Sequence, residues 1–508
     1  MADHRSCALL NQRPAITPPL RVPDQTNLSR QAALGAGAGV GTASTAPVSA
    51  RRPRFPKLLR LFEPAPPAVP LTDPATIRAS YRLWQRRVLV SSIIGYAVFY
   101  FVRKNLSIAM PLMERDLGIS KSGLGLFLTL HGVLYGVSKF ANGFFGDRCN
   151  ARAFMVVGLA ASALMNVFFG LGSAVVTLGI VWMLNGWFQG MGFPPCARLM
   201  THWFPPKDFA TKFSIWNTSH SLGAGLILVL CGSLLAPISW RLCFLVPAAI
   251  ALVCSLYLWM TLPDTPPSVG LPEVEGTRTE LPEPETGAQF RAFLFQAVFR
   301  NKYIWLVSIA NFFVYTLRYG MLDWGPTLLT QTKHVTISSA GWMVAAFEGS
   351  GVLGAMLSGW LTDRCFGGRA MRVGLIYMVL AGGSVLAFWK VGGQSMLWNT
   401  LLLCAAGFFI YGPQCLIGIA AAKLATKRAA ATAVGLTGIF GYASTVLSGW
   451  GLGMLVERYG WNAGFAGLIA IAAVGTLLFA LAWPAKAHGY AFEASDSQPL
   501  SQSPPGRG

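Results

Sequence analysis

The chain has 508 residues, 53% of them hydrophobic and 12% charged, where a soluble globular protein carries roughly a quarter charged. Its formal charge of +20 comes from 40 Lys and Arg against 20 Asp and Glu, but the charges are separated by apolar runs of about 20 residues, which excludes a broad nucleic-acid face. A soluble globule is excluded as well, leaving an all-α polytopic protein with the lipid bilayer as its solvent.

In chain order, residues 1–80 (with GAGAGVGTASTAPVSARRPR) lack hydrophobic periodicity and any apolar core of signal-peptide type, and are expected to be a disordered cytoplasmic tail. Twelve apolar stretches follow, at 88–110, 122–145, 153–172, 174–200, 210–236, 241–262, 301–322, 338–361, 371–390, 396–422, 429–454 and 461–484. Six form an N-terminal bundle within 81–262 and six a C-terminal bundle within 301–485. Between them, residues 263–300 are rich in Pro, Glu and Gly, the composition of a linker, and 486–508 reads as a second disordered tail. Counting Lys and Arg in the short loops, before the first stretch and around the linker places 17 on one side of the membrane and 6 on the other. Both termini and the linker are therefore expected in the cytoplasm, as in a bacterial-type inner membrane.

The nine cysteines contain no CxxC pair and no Cys/His cluster at zinc spacing, so they read as small apolar residues, with no metal or cofactor implied. GxxxxGKS, HExxH and GxSxG are absent, so neither an enzyme nor an ATP-driven pump has residues to stand on.

The two halves repeat. Gly143, Asp147 and Arg148 in the loop after the second stretch recur as Gly359, Asp363 and Arg364 after the eighth, and these six read as gating-loop clasps. Tyr96, Tyr100 and Arg103 of the first stretch recur as Asn311, Tyr315 and Arg318 of the seventh. Such a repeat implies two bundles about a pseudo-two-fold axis along the membrane normal, with a site on that axis near the midplane. Helical spacing puts each set on one face, so two guanidiniums approach the axis from opposite halves. Paired Arg forks match the oxygens of a phosphate, although arginines at these depths can also reach out to headgroups. His131, Tyr135 and Lys139 form a third polar stripe at four-residue intervals, with Lys139 able either to face the axis or to reach the interface. WNTSH sets Asn217 and His220 on one face, His220 being either a packing residue or an anion donor. Asp323 and Glu348 are the notable acidic residues, each a candidate proton carrier or a partner for a nearby cation.

GYAVFYFVRKN, YGVSKFANGFFGDRCNAR, GWFQGMGFPPCAR, WNTSHSLG, FVYTLRYGMLDWGPT, FIYGPQCLIG and GLTGIFGY resemble the organophosphate:phosphate antiporters of the major facilitator superfamily, over roughly residues 80–485. The resemblance implies a major facilitator fold of twelve transmembrane helices and exchange of a small phosphorylated metabolite for inorganic phosphate. It further implies that Arg103 and Arg318 bind the phosphoryl group, that Lys139 and His220 complete the site, and that Tyr96, Tyr100, Tyr135, Asn217, Tyr315, Tyr411 and Tyr442 border it. FVYTLRYGMLDWGPT and GLTGIFGY look most like the glycerol 3-phosphate carrier, phosphoglycerate and hexose phosphate being the other cargoes of the group. YRLWQRR looks more like a hexose-phosphate sensor that signals to a membrane kinase, which is the alternative reading. Val434 and Thr437 stand where the hexose-phosphate carrier has acidic and lysine positions, which weighs against hexose-phosphate transport.

Overall fold

Asp73 begins the first helix by accepting the Thr76 N–H at 2.9 Å, and Pro74 follows with no N–H to satisfy. Bonds from the Thr76 side chain and from the backbone of Thr76 and Ala75 hold the Asp73 carboxyl below its ordinary value. In the computed structural model, which describes residues 57–146, 149–274, 292–293, 295–391, 395–425 and 429–485, this helix (α1) runs from Pro74 to Leu117. At 1.5 Å per residue its 44 residues span about 66 Å, well over the roughly 30 Å of a hydrocarbon core, so its first turns project beyond the membrane. Gly118 stops it at φ 63°, a left-handed conformation that costs glycine little.

The described chain continues through α2 (Lys121–Gly146), α3 (Ala151–Leu171), α4 (Val175–Gln189), α5 (Phe193–Trp203), α6 (Pro206–Asn217), α7 (Ser219–Leu230) and α8 (Leu242–Thr261). Past the linker come α9 (Lys302–Asp323), α10 (Gly325–Thr332), α11 (Ile337–Arg364), α12 (Ala370–Lys390), α13 (Met396–Leu424), α14 (Ala430–Ala443) and α15 (Leu452–Leu481). Each of the twelve apolar stretches falls on helix. Gly460, at φ 75° and ψ 175°, breaks α15 and separates the eleventh stretch from the twelfth. The fourth stretch divides into α4 and α5 ahead of Pro194 and Pro195, and the fifth into α6 and α7 at Thr218.

Among the described residues seven segments are long and apolar enough to cross a membrane, one of them the 50-residue run Thr432–Leu481 that holds most of the last two stretches. The remaining four stretches lie on α1, α2, α4 with α5, and α9. These rods carry Arg103 with Lys104, Lys139, the glycine and proline break, and Arg318.

The halves meet closely at the end of the bundle opposite the linker. A Cβ on Gly125 of α2 would lie 2.4 Å from the Gly449 carbonyl oxygen, and one on Gly341 of α11 would lie 2.6 Å from that of Leu228. Small residues let these backbones touch, as membrane helices without a hydrophobic driving force require. Thr129 Oγ1 donates to the Thr445 carbonyl at 2.8 Å, the Ser122 N–H donates to Glu457 at 2.7 Å, and Gln331 donates to Glu114 at 2.9 Å. An ion pair between Lys104 and Asp323 joins the halves just inside that end.

The tail expected over residues 1–80 requires correction. From Lys57 onward the chain is structured, with a 3₁₀ turn at Lys57–Phe62, and residues 62–72 lie against the start of the linker. The Phe62 carbonyl accepts from the Asn150 N–H at 2.9 Å, while the Ala68 and Leu71 N–H groups donate to the carbonyls of Pro267 and Gly270. Asp264, 2% exposed, is the centre of this clasp. Its carboxylate accepts the Ala151 N–H of α3 at 2.9 Å and the Ala65 N–H at 3.1 Å, and lies 3.9 Å from Arg198 of α5. Composition hid this segment because its order comes from backbone bonds to distant residues rather than from an apolar face of its own. Residues 1–56 and 486–508, the remainder of the expected tails, lie outside the described residues. Replacing Asp264 by Ala leaves the buried Ala151 N–H and the half-buried Ala65 N–H short of their acceptor. It should cost about 3 kcal/mol, seen as a lower melting temperature of the purified protein in detergent.

Candidate functional site

Arg103 lies in α1 beneath an aromatic wall. Its guanidinium carbon sits 4.0 Å from the ring centroid of Tyr135 on α2 and 5.3 Å from that of Tyr100 one turn earlier. The negative faces of these rings stabilise the half-buried cation by about 1 kcal/mol each. Among the described residues no carboxylate pairs with it. Arg318 in α9 is 5% exposed and donates to the Tyr411 hydroxyl at 2.8 Å, with its guanidinium carbon 4.3 Å from the Tyr411 ring. Glu348 of α11 lies 3.5 Å from it, a loose ion pair, and among the described residues the buried Arg318 Nε has no hydrogen-bond partner.

Between the arginines runs a line of tyrosines. Tyr135 packs edge-on against Tyr442 at 4.9 Å, Tyr442 meets Tyr315 at 6.4 Å, and Tyr315 meets Tyr319 beside Arg318 at 5.4 Å. Lys139, one turn beyond Tyr135, donates to the Tyr442 hydroxyl at 3.1 Å and sits 4.2 Å over Phe193. The ring of His220 lies 5.7 Å from Tyr100, and its Nδ1 is bonded to the Asn217 carbonyl, which orients the ring at the start of α7. Both guanidiniums are within electrostatic range of Tyr100 and His220. Tyr96 is buried, 4.8 Å from Trp216 and 5.7 Å from Tyr100, so it backs the wall. Asn217 itself is exposed at the end of α6. The helix breaks before Phe193 and at Thr218 thus sit next to Lys139 and His220 respectively.

A match to the Major Facilitator Superfamily model covers residues 92–449. The chain belongs to the Major Facilitator Superfamily. It is 39% identical over 438 residues to the glycerol-3-phosphate transporter of Bacillus subtilis, covering 84% of this chain and 98% of that one. To the membrane sensor protein UhpC of Escherichia coli it is 36% identical over 418 residues, covering 81% of this chain and 95% of the relative. A crystal structure of a bacterial homologue of the human lysosomal transporter Spinster superimposes with a TM-score of 0.64 at 17% identity, over 81% of this chain and 97% of the other. The family resemblance drawn from the motifs agrees with these relatives, and the fold with the structural match.

Within this major facilitator bundle several expectations change. His131 does not share the stripe of Tyr135 and Lys139: it stacks on Trp182 at 5.1 Å, and its Nδ1 lies 3.2 Å from the Trp182 carbonyl, inside the N-terminal half. Asp323 and Glu348 are the partners of Lys104 and Arg318 respectively. Of the gating-loop residues, Asp363 is exposed and 4.0 Å from Lys423, and Gly359 and Arg364 lie in the last turns of α11. Asp147 and Arg148 lie outside the described residues, as does the packing of Gly143. Among the described cysteines all are free, five of them buried.

Sequence reading passed over Phe193 and Gln414, which donates to the Tyr315 hydroxyl at 3.4 Å. GFPPCAR contains the first, but periodicity does not separate a wall residue from packing. For the buried pair, Glu348→Ala should destabilise the bundle by about 3 kcal/mol because it strands Arg318. Replacing both partners, Arg318→Met with Glu348→Leu, should recover most of that loss in detergent melting curves.

Proposed function

We propose that the protein exchanges a small organophosphate for inorganic phosphate across the membrane, with Arg103 and Arg318 sharing the phosphoryl group. The observation that carries this reading is the pair of arginines on opposite halves, joined by the tyrosine line, with Arg103 lacking a paired carboxylate among the described residues. Lys139 and His220 supply further donors at the rim, and Tyr100, Tyr135, Tyr315, Tyr411 and Tyr442 offer hydroxyls and ring faces to the ester. The likeness to a glycerol-3-phosphate transporter favours glycerol 3-phosphate as the cargo.

Like charges in a low-dielectric cavity repel, and a phosphate dianion between them turns that repulsion into attraction. Bound anion therefore draws the halves together, and the loaded carrier reorients more readily than the empty one. The direction of flow follows the two anion gradients, with phosphate leaving as the ester enters. In the expected orientation the tightly packed end faces outward, so the present arrangement is closed on that side.

Arg103→Lys and Arg318→Lys should each lower phosphate counterflow in proteoliposomes at least a hundredfold, because Lys lacks the planar fork. Near-normal counterflow in either variant refutes the role. The likeness to a membrane sensor protein favours a second reading, in which the same pocket binds a sugar phosphate and reports it to a kinase. Efflux of labelled phosphate from vesicles, stimulated by external glycerol 3-phosphate, supports exchange; specific binding with no efflux supports the sensor.

A further inference from the structure

Val102, immediately before Arg103, takes φ −93° and ψ 18°, so α1 bends one residue ahead of its arginine. A carbonyl turned aside within a bilayer has no water to accept from, and must find a donor on a neighbouring helix. Here it finds two. Asn166 Nδ2 of α3 donates to the Val102 carbonyl at 3.0 Å and Asn185 Nδ2 of α4 donates to it at 2.9 Å. One turn earlier the Phe99 carbonyl accepts from Gln189 Nε2 at 3.0 Å, and Gln189 also donates to Ser162 at 3.1 Å. Asn105, just past the bend, donates to Asn166 Oδ1 at 2.8 Å. Asn105, Asn166 and Asn185 are fully buried, and Gln189 is 3% exposed.

Stability alone is a poor reason for these residues. Among the described residues the buried Oδ1 atoms of Asn105 and Asn185 have no hydrogen-bond partner, and a buried unmade acceptor costs about 1–3 kcal/mol. What the amides contribute is their N–H groups: those of Asn166, Asn185 and Gln189 reach one turn of α1, while Asn105 also donates to the Cys243 carbonyl, Asn166 to the Ser162 carbonyl and Gln189 to the Ser162 hydroxyl. Being neutral, they hold the bend without bringing a counter-charge beside Arg103. The other half is built differently: Arg318 is fixed directly, by Tyr411 and Glu348.

We propose that Asn166, Asn185 and Gln189 are positioning residues for anion binding, holding the bend of α1 at Val102 and so aiming the Arg103 guanidinium. This rests on the reading of Arg103 as a phosphate ligand. The test measures inorganic phosphate binding by titration calorimetry, and backbone hydrogen exchange by mass spectrometry, in the purified full chain and in Asn185→Leu, Gln189→Met and Arg103→Lys. Asn185→Leu and Gln189→Met should each weaken phosphate binding on the order of tenfold, with faster exchange confined to residues around 98–106. Wild-type affinity in both variants overturns the proposal. So does exchange that quickens equally through α1, α3 and α4, since the amides then hold the bundle together rather than aim one side chain. If Arg103→Lys itself binds phosphate like the wild type, it is the phosphate reading that fails; if only Arg103→Lys is weakened, it is this one.

Discussion

A half-buried arginine that pairs with no carboxylate among the described residues is the constraint around which the rest of the structure is arranged. Taking such a charge out of water costs several kcal/mol even after relaxation, and a helix in lipid has few ways to offset it. Arg103 uses the faces of Tyr100 and Tyr135, which stabilise a cation without neutralising it. Neighbouring lysines are dealt with in other ways: Lys104 by Asp323 across the halves, Lys139 by the Tyr442 hydroxyl and the Phe193 ring. A net positive centre remains, and the proposed exchange places an oxyanion there.

The pseudo-symmetry relates positions but not solutions. Arg318 stands where the repeat puts it, yet it has an internal carboxylate 3.5 Å away and a tyrosine hydroxyl at 2.8 Å. Arg103 has aromatic faces and a helix bend held by neutral amides. One guanidinium is thus largely preorganised by its own half, while the other, in the proposed exchange, takes its charge partner from the anion. Such a division suits a carrier whose halves must separate when empty and close when loaded, because only one side of the contact is satisfied beforehand.

How much was legible follows from what each residue needs. Arg103 and Arg318 stood out because a buried charge repeated at one offset has few structural explanations, and Tyr96, Tyr100 and Tyr315 followed from helical spacing. His131 misled because four-residue spacing defines a face only approximately over two turns, and Trp182 on α4 drew the imidazole away from the axis. Lys104 and Asp323 are 219 residues apart, so only the fold pairs them. The segment after Phe62 carries no apolar period and is ordered by backbone bonds to Asn150, Pro267 and Gly270, which composition cannot reveal. Asn185 and Gln189 read as polar residues in an apolar stretch until the bend at Val102 shows what they donate to.

The claim that both halves contribute a guanidinium to one oxyanion can be read directly by solid-state NMR on protein with ¹⁵N-labelled arginine, using ³¹P dephasing from bound inorganic phosphate. Two arginine side-chain resonances should dephase strongly, one disappearing in Arg103→Lys and the other in Arg318→Lys. Dephasing of a single arginine, or of none while phosphate is bound, would contradict the account.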